Sequence, residues 1–143
     1  MTEQIRWGIL GTGRIARKFC DTLKELEQAQ IWAVGSRTGE KAEEFGAAYG
    51  IERCYGSYRE LVSDKDVDII YVATPIACHY ENVKLCLNAG KHVLCEKAFT
   101  QTAAEAEELY RLAQEKHLFL MEALWSKCQP VFRKLMEWKE QGR

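Results

Sequence analysis

The chain has 143 residues, 47% of them hydrophobic, and a formal net charge of −1, which suits one folded domain with a core. A net charge this small gives no electrostatic case for binding nucleic acid or an anionic membrane surface. No apolar run reaches the length of a membrane span, and no secretory signal follows Met1, so we expect a cytoplasmic protein.

The first predicted element is a short apolar strand, residues 5–10, that runs directly into a glycine turn. Gly11, Gly13 and Ala16 follow the spacing Gly-x-Gly-x-x-Ala, and a helical pattern begins at Arg14. In dinucleotide sites the first glycine permits a tight turn, and the second lets the backbone approach the pyrophosphate. The free N–H groups of the first helical turn then face the anion. The order of strand, turn and helix predicts a dinucleotide site, with a ligand-free turn as the alternative.

The remaining elements alternate regularly between strand and helix. Apolar periodicity and capping signals predict a helix over 14–25, a strand over 31–35, a helix opened by Thr38-Gly39-Glu40, a strand over 53–55, a helix opened by a capping box from Ser57 to Glu60, a strand over 67–73, a helix over 79–89 closed by Gly90, a strand over 92–95, a helix opened by a capping box from Thr102 to Glu105, a strand over 118–121 and a helix beginning at Pro130. Such alternation requires a parallel sheet with helices on both faces. We predict an α/β fold, a doubly wound Rossmann-type sheet that forms a single NADP-binding domain.

Ligands of such sheets bind at the carboxyl ends of the strands, so the segments that follow the strands are the candidate site. These segments are residues 11–14, 36–38, 74–79, 96–98 and 122–127. Each of them is polar or contains glycine.

The end of the second strand bears on the choice of cofactor. An NAD site places an acid there for the ribose 2′-hydroxyl, whereas this chain has Ser36 and Arg37, with Lys41 one turn further on. A hydroxyl and a guanidinium suit a 2′-phosphate, which a carboxylate would repel. In the alternative, Arg37 is a solvated loop charge and Glu40 supplies the acid. We predict NADP as the cofactor, with NAD as the alternative.

Three other motif matches are weak. Residues 8–14 are spaced like a phosphate-binding P-loop, but Arg14-Ile15 stands where Lys-Ser/Thr is required. Tyr80 and Lys84 mimic the catalytic pair of short-chain dehydrogenases, but they fall on the helix after the fourth strand. A methyltransferase would share the strand and glycine turn, but it would need an acid near Ser36.

The six cysteines show neither a Cys-x-x-Cys pair nor a paired zinc spacing. They are Cys20, Cys54, Cys78, Cys86, Cys95 and Cys128. We expect reduced thiols in the interior of the protein. A metal site built from Cys78, His79 and Cys86 lacks a fourth ligand, so we predict no metal.

Five motifs occur in one order from end to end of the chain. They are Gly11-Thr12-Gly13-Arg14-Ile15-Ala16, Ser36-Arg37, Ala73-Thr74-Pro75-x-x-x-His79, Gly90-Lys91-His92-Val93-Leu94-Cys95-Glu96-Lys97 and Met121-Glu122-Ala123-Leu124-Trp125. Together they resemble the N-terminal domain of the glucose-fructose oxidoreductase/inositol dehydrogenase (Gfo/Idh/MocA) family. The nearest members are those similar to dimeric dihydrodiol dehydrogenase.

The resemblance, with the analysis above, implies a set of site residues. The cofactor-binding residues are Gly11, Thr12, Gly13, Arg14, Ile15, Ser36, Arg37, Lys41, Thr74, Pro75, His79, Glu96, Lys97 and Trp125. Lys97 is implied to be catalytic, because the matching lysine of the family hydrogen-bonds the reacting hydroxyl or carbonyl. We expect it to be partly buried, and the alternative is a loop lysine paired with Glu96. For Trp125 the alternative is a core tryptophan.

Two positions depart from the family's pattern. Ala98 stands where proline usually follows the lysine, so the ring that fixes the backbone there is absent. Ile76 stands where asparagine usually follows Thr-Pro, which removes one polar group near the cofactor.

The resemblance also implies a domain organisation and a function. Residues 1–125 would form the dinucleotide-binding Rossmann domain, and 126–143 would begin the junction to a C-terminal substrate domain that this chain lacks. That domain would supply the proton carrier and the oligomer interface. We expect an NADP-dependent oxidoreductase acting on a sugar, polyol or dihydrodiol, and a homo-oligomer, with no measurable turnover by this chain alone. A non-catalytic NADP-binding or sensing module and a methyltransferase are the alternatives.

The last predicted helix has more apolar residues than one face of a Rossmann sheet needs. They are Val131, Phe132, Leu135, Met136 and Trp138. We expect this helix to form an association surface.

Overall fold

Strands and helices alternate along residues 4–142, the part of the chain that the computed structural model describes. The strands are β1 (Ile5–Leu10), β2 (Ala29–Gly35), β3 (Arg53–Tyr55), β4 (Ile69–Val72), β5 (His92–Glu96) and β6 (Leu120–Ala123). The helices are α1 (Arg14–Leu23), α2 (Gly39–Tyr49), α3 (Tyr58–Ser63), α4 (His79–Asn88), α5 (Ala103–Glu115) and α6 (Pro130–Glu140). Short 3₁₀ turns cover Ile76–Cys78 and Trp125–Cys128.

The strands form one parallel sheet in the order β3-β2-β1-β4-β5-β6. The chain moves outward from β1 to β3, crosses back to β4 beside β1, and continues outward to β6. This is the topology of a doubly wound Rossmann sheet, so the predicted fold is confirmed. The strand order reverses between β1 and β4, and the carboxyl ends of both strands meet at that point.

The core consists of two apolar layers, one on each face of the sheet. Alternate side chains of a strand point to opposite faces, so Ile9 joins one layer and Leu10 joins the other. Phe45 of α2 belongs to the layer of Ile9, and Leu109 of α5 belongs to the layer of Leu10. All four residues of β4 are buried, as expected for a central parallel strand with both faces covered.

Several predicted boundaries differ from the observed ones by one or two residues, and in one case the end of a helix is the reason. The strand predicted over 118–121 begins at Leu120, because the N–H of Leu118 still bonds to the carbonyl oxygen of Ala113 and closes α5. His117 takes a left-handed backbone conformation (φ 56°) to form this closure.

The capping box at Thr102 is complete. At Ser57 only the bond from the Glu60 N–H to the Ser57 hydroxyl forms.

The last helix, α6, contributes no buried residue to the core. Val131, Leu135, Met136 and Trp138 are exposed, and Phe132 is half-buried. Within residues 4–142 no helix is both long enough and apolar enough to cross a membrane.

Candidate functional site at the carboxyl edge of the sheet

A cleft of about 480 Å³ opens where β1, β2 and β4 end. Its lining residues come from the loops and helices that follow these strands and β3: Gly11, Thr12, Gly13, Arg17, Ser36, Arg37, Lys41, Glu44, Tyr58, Ala73, Thr74, Pro75, Cys78 and Asn82. Eight of the predicted site residues therefore meet in one place: Gly11, Thr12, Gly13, Ser36, Arg37, Lys41, Thr74 and Pro75.

A larger groove of about 1,430 Å³ lies elsewhere, along the amino-terminal ends of the strands. Apolar side chains such as Trp7, Leu94 and Met121 line it, together with the Arg6–Asp68 ion pair. Ligands of doubly wound sheets bind at the opposite, carboxyl edge. The smaller cleft is therefore the candidate site.

The glycine turn after β1 has the geometry that a dinucleotide site needs. Gly11 has a φ of +103°, a conformation that favours glycine, and a Cβ atom there would make a tight contact of 3.2 Å with the carbonyl oxygen of Ala73. At Gly13 a Cβ atom would meet no protein atom within 4 Å. Packing therefore does not demand glycine at position 13, and a side chain there would occupy the space of the cleft.

The N-terminus of α1 is open towards the cleft. Its N-cap residue is Gly13, no side chain caps the helix, and no acidic residue occupies the first turn. The first N–H groups of a helix have no intrahelical acceptors, so this end offers donors to an anion. The side chains of Arg14 and Ile15 are exposed and do not line the cleft.

Ser36, Arg37 and Lys41, which follow β2, form one side of the cleft, here called the basic wall. Ser36 is buried, and its hydroxyl oxygen lies 3.5 Å from that of Thr12. Arg37 and Lys41 are exposed, and neither forms an ion pair within residues 4–142. Glu40, the acid of the alternative interpretation, does not line the cleft. The end of β2 therefore presents a hydroxyl and two cations.

His79 lies behind the cleft, although it does not line it. The ring is only 1% exposed. Its Nε2 atom is 2.7 Å from the carbonyl oxygen of Thr74, and its Nδ1 atom is 2.9 Å from that of Ala98. On the same helix, Asn82 donates a hydrogen bond from Nδ2 to the Thr74 hydroxyl at 3.0 Å. Helix α4 thus holds the loop after β4 in place.

The turn after β5 is held by two carboxylates, the buried Glu96 and the half-buried Glu122. Glu96 accepts a hydrogen bond from the Tyr71 hydroxyl and another from the N–H of Lys97 at 3.1 Å. Burial raises the pKa of Tyr71, and the bond to Glu96 raises it further, so the tyrosine remains a donor. Glu122 accepts the N–H of Phe99 at 2.9 Å. The backbone on both sides of the cis Lys97–Ala98 peptide is therefore fixed without a proline ring.

One expectation and two alternatives about side chains were wrong. Lys97 is exposed rather than partly buried, because the turn carries it beyond the end of β5. It also forms no ion pair with Glu96, whose oxygens are bonded to Tyr71 and to the backbone. Trp125 is 61% exposed and does not line the cleft, so it is not a core tryptophan.

Six residues that line the cleft were not among the predicted site residues, although Cys78 lies in the candidate segment 74–79: Arg17, Glu44, Tyr58, Ala73, Cys78 and Asn82. Tyr58 has a usable sequence signal, because it follows β3 and so lies at the same edge of the sheet as the other candidate segments. Burial raises the pKa of the Tyr58 hydroxyl, and the nearby Arg37 cation opposes that shift. Arg17 and Glu44 lie on helices, where only the packing of α1 beside α2 brings them to the cleft.

The cysteines are free thiols, but not all of them are interior. Cys20, Cys86 and Cys95 are buried, whereas Cys78 and Cys128 are exposed, which corrects the expectation. Burial raises the pKa of the Cys20 thiol to about 12. Among residues 4–142 no group of three or more His, Cys, Asp or Glu side chains is arranged to hold a metal ion.

The sequence and the structure both match known oxidoreductases. The profile of the Gfo/Idh/MocA oxidoreductases, a family with an NAD-binding Rossmann fold, matches residues 5–124. The chain is 44% identical over 146 aligned positions to D-xylose 1-dehydrogenase (NADP(+)) of Hypocrea jecorina, covering 93% of this chain and 37% of that protein. It is 43% identical over 140 positions to trans-1,2-dihydrobenzene-1,2-diol dehydrogenase of Mus musculus, covering 96% of this chain and 42% of that protein.

Among solved structures, the fold matches KijD10, a 3-ketoreductase from Actinomadura kijaniata in complex with TDP-benzene and NADP. The TM-score is 0.91 at 33% sequence identity, over 98% of this chain and 44% of that one. The chain thus spans less than half the length of the relatives that it matches.

Proposed function

Because the chain belongs to the Gfo/Idh/MocA oxidoreductase family, we propose that it is the cofactor-binding domain of an NADP-dependent oxidoreductase. The reaction would be hydride transfer to or from a hydroxyl or carbonyl carbon of a sugar, polyol or dihydrodiol. The named relatives support this range, since two of them are a D-xylose dehydrogenase and a dihydrobenzenediol dehydrogenase.

The observation that carries the cofactor assignment is the basic wall beside an open glycine turn. The uncapped start of α1 and the side-chain-free space at Gly13 fit a pyrophosphate. Ser36, Arg37 and Lys41 fit a 2′-phosphate, since the residues directly after β2 include no carboxylate to receive a ribose hydroxyl. The one carboxylate that lines the cleft, Glu44 on α2, is paired with Arg17. NADP is therefore preferred over NAD.

Lys97 is the proposed catalytic residue. The bound dinucleotide would supply or accept the hydride, and the exposed ammonium of Lys97 is free to donate a hydrogen bond to the reacting substrate oxygen. Its backbone is fixed by Glu96 and, through Ala98, by His79. These contacts fix the backbone from which the Lys97 side chain extends.

We propose that residues 1–125 act as the dinucleotide-binding domain and that 126–143 begin a junction to a substrate domain. The exposed apolar side chains of Trp125 and α6 support this division, because such surfaces on proteins commonly mark association sites. By itself the 143-residue chain would self-associate through this surface. Free cysteines throughout the described residues support a reducing compartment such as the cytoplasm.

Thermal-shift and calorimetric titration of the 143-residue chain test the proposal. We expect NADP(H) to stabilise the protein and to bind more tightly than NAD(H), and S-adenosylmethionine to have no effect. Stabilisation by S-adenosylmethionine alone would favour a methyltransferase. Equal affinity for both dinucleotides would leave the dinucleotide site intact but contradict the NADP preference.

A further inference from the structure

One ion pair borders the cleft beside the basic wall. The Nη2 atom of Arg17, on α1, lies 3.7 Å from Oε1 of Glu44, on α2. Both residues line the cleft together with Arg37 and Lys41. This side of the cleft therefore carries three cations, Arg17, Arg37 and Lys41, and one carboxylate. The carboxylate, Glu44, pairs with Arg17.

The Arg17–Glu44 pair is weak. The separation of 3.7 Å exceeds a hydrogen-bond distance, and the Glu44 side chain is 77% exposed. Exposed ion pairs of this kind stabilise a protein very little, so breaking the pair has a small cost. The Arg17 guanidinium also lies over the Phe45 ring, with its carbon 5.1 Å from the ring centroid. Arg17 therefore has a second contact on α2 that does not depend on the ion pair.

We propose that Arg17 exchanges Glu44 for the 2′-phosphate of NADP and that Glu44 limits the affinity for this cofactor. A phosphate offers three acceptor oxygens and more negative charge than a carboxylate, so the guanidinium binds it more strongly. Glu44 lowers NADP affinity in two ways, by holding Arg17 and by repelling the phosphate. NAD carries a hydroxyl at the same position, so neither effect applies to it.

This inference rests on the proposed function and deepens it. The cofactor preference would depend on two helix residues in addition to the segment after β2. Arg17 and Glu44 would act in opposite directions, which a role in folding alone would not produce.

The test is calorimetric titration of NADP⁺ and NAD⁺ into the 143-residue chain and into the variants Arg17→Met and Glu44→Gln. Methionine keeps an unbranched stem over Phe45 while removing the charge. For Arg17→Met we expect the Kd of NADP⁺ to rise about three- to tenfold, because the contact is exposed and partly screened. For Glu44→Gln we expect it to fall about two- to fivefold. The Kd of NAD⁺ should change by less than about twofold in both, and the NADP⁺ effects should shrink as salt is added.

Lys18→Met and Glu43→Gln are matched controls. They make the same charge changes on the same two helices, but Lys18 and Glu43 do not line the cleft. Equal losses for both cofactors in Arg17→Met, or no gain for NADP⁺ in Glu44→Gln, would overturn the inference while leaving NADP binding by the unmodified chain intact. Binding of neither dinucleotide by the unmodified chain would overturn the proposed function and this inference with it.

Discussion

The Nε2 atom of His79 lies 2.7 Å from the carbonyl oxygen of Thr74, so this buried ring holds the loop that follows β4. The other ring nitrogen faces the carbonyl oxygens of Ala98 and Phe99, at 2.9 and 3.1 Å. One side chain therefore joins the loop that borders the cleft to the turn that carries Lys97. The two loops cannot shift independently without breaking one of these contacts.

Lys97 should matter for turnover and little for cofactor binding. In any longer protein that contains this domain and is active, Lys97→Met should lower kcat about a hundredfold or more, because a polarising hydrogen bond to the reacting oxygen is lost. The Kd of NADP(H) should stay within about threefold, since Lys97 does not line the cleft. Steady-state kinetics measures both, with Lys116→Met on the far end of α5 as the control. Near-normal turnover would make Lys97 an ordinary loop lysine.

Arg37 should discriminate between the two dinucleotides. Arg37→Ala should weaken NADP(H) binding by about tenfold or more, because a charge-assisted contact with the 2′-phosphate is lost. NAD(H) binding should barely change. Titration of both cofactors measures the ratio, and Arg59→Ala, an exposed arginine on α3 outside the cleft, is the control. An equal loss for both cofactors would contradict the assignment of Arg37 to the 2′-phosphate.

Gly13→Val should abolish binding of either dinucleotide while the protein remains folded. The new side chain would occupy space that holds no protein atom within 4 Å of the Cβ position, so it fills the cleft without disturbing the core. Circular dichroism should show an unchanged spectrum, and calorimetry should show no heat of binding. Unchanged affinity in the folded variant would place the dinucleotide site elsewhere.

Cys78 should be protected from alkylation by bound cofactor. It is exposed and lines the cleft, whereas Cys128 is also exposed but lies outside the cleft and serves as an internal control. At pH 8 both should react with iodoacetamide, while Cys20 should remain unmodified because it is buried and its pKa is raised to about 12. Mass spectrometry with and without saturating NADP⁺ should show slower labelling of Cys78 alone. Equal protection of both cysteines would mean that the cofactor acts through a global change.

The apolar face of α6 should drive self-association of the 143-residue chain. Val131 and Leu135 are one helical turn apart and both exposed, so Leu135→Glu places a charge in the centre of that face. Sedimentation at high concentration should show oligomers for the unmodified chain and a monomer for Leu135→Glu. Arg133→Glu, on the same helix, should leave the association unchanged. A monomeric unmodified chain would refute the prediction.

The sequence determined the fold and the first half of the site, because these depend on short-range patterns. Alternating apolar segments specify a parallel sheet, and the glycine turn must follow β1 directly in the chain. Ser36 and Arg37 likewise follow β2 directly. In each case the residue directly follows a strand, so its position in the sequence already places it at the carboxyl edge of the sheet.

Other residues in the matching motifs have roles that only tertiary structure decided. Lys91 sits in the motif that ends at Lys97, yet its buried ammonium donates to the carbonyl oxygens of Asp64 and Val67 at 2.6 and 2.7 Å. Burial lowers its pKa. His79 similarly joins two loops rather than lining the cleft. Nothing in the spacing of these residues shows whether a side chain points towards a ligand or towards the backbone.

The long-range features depended on how the helices pack. Arg17 and Glu44 belong to different helices, and they meet at the cleft only because α1 and α2 cover the same face of the sheet. The exposure of Lys97 and Trp125 depends on how far each turn extends beyond the end of its strand. The sequence therefore determined which elements form and in what order, since local periodicity and turn chemistry specify them. The tertiary structure decided which side chains face the cleft, since that depends on contacts between residues far apart in the chain.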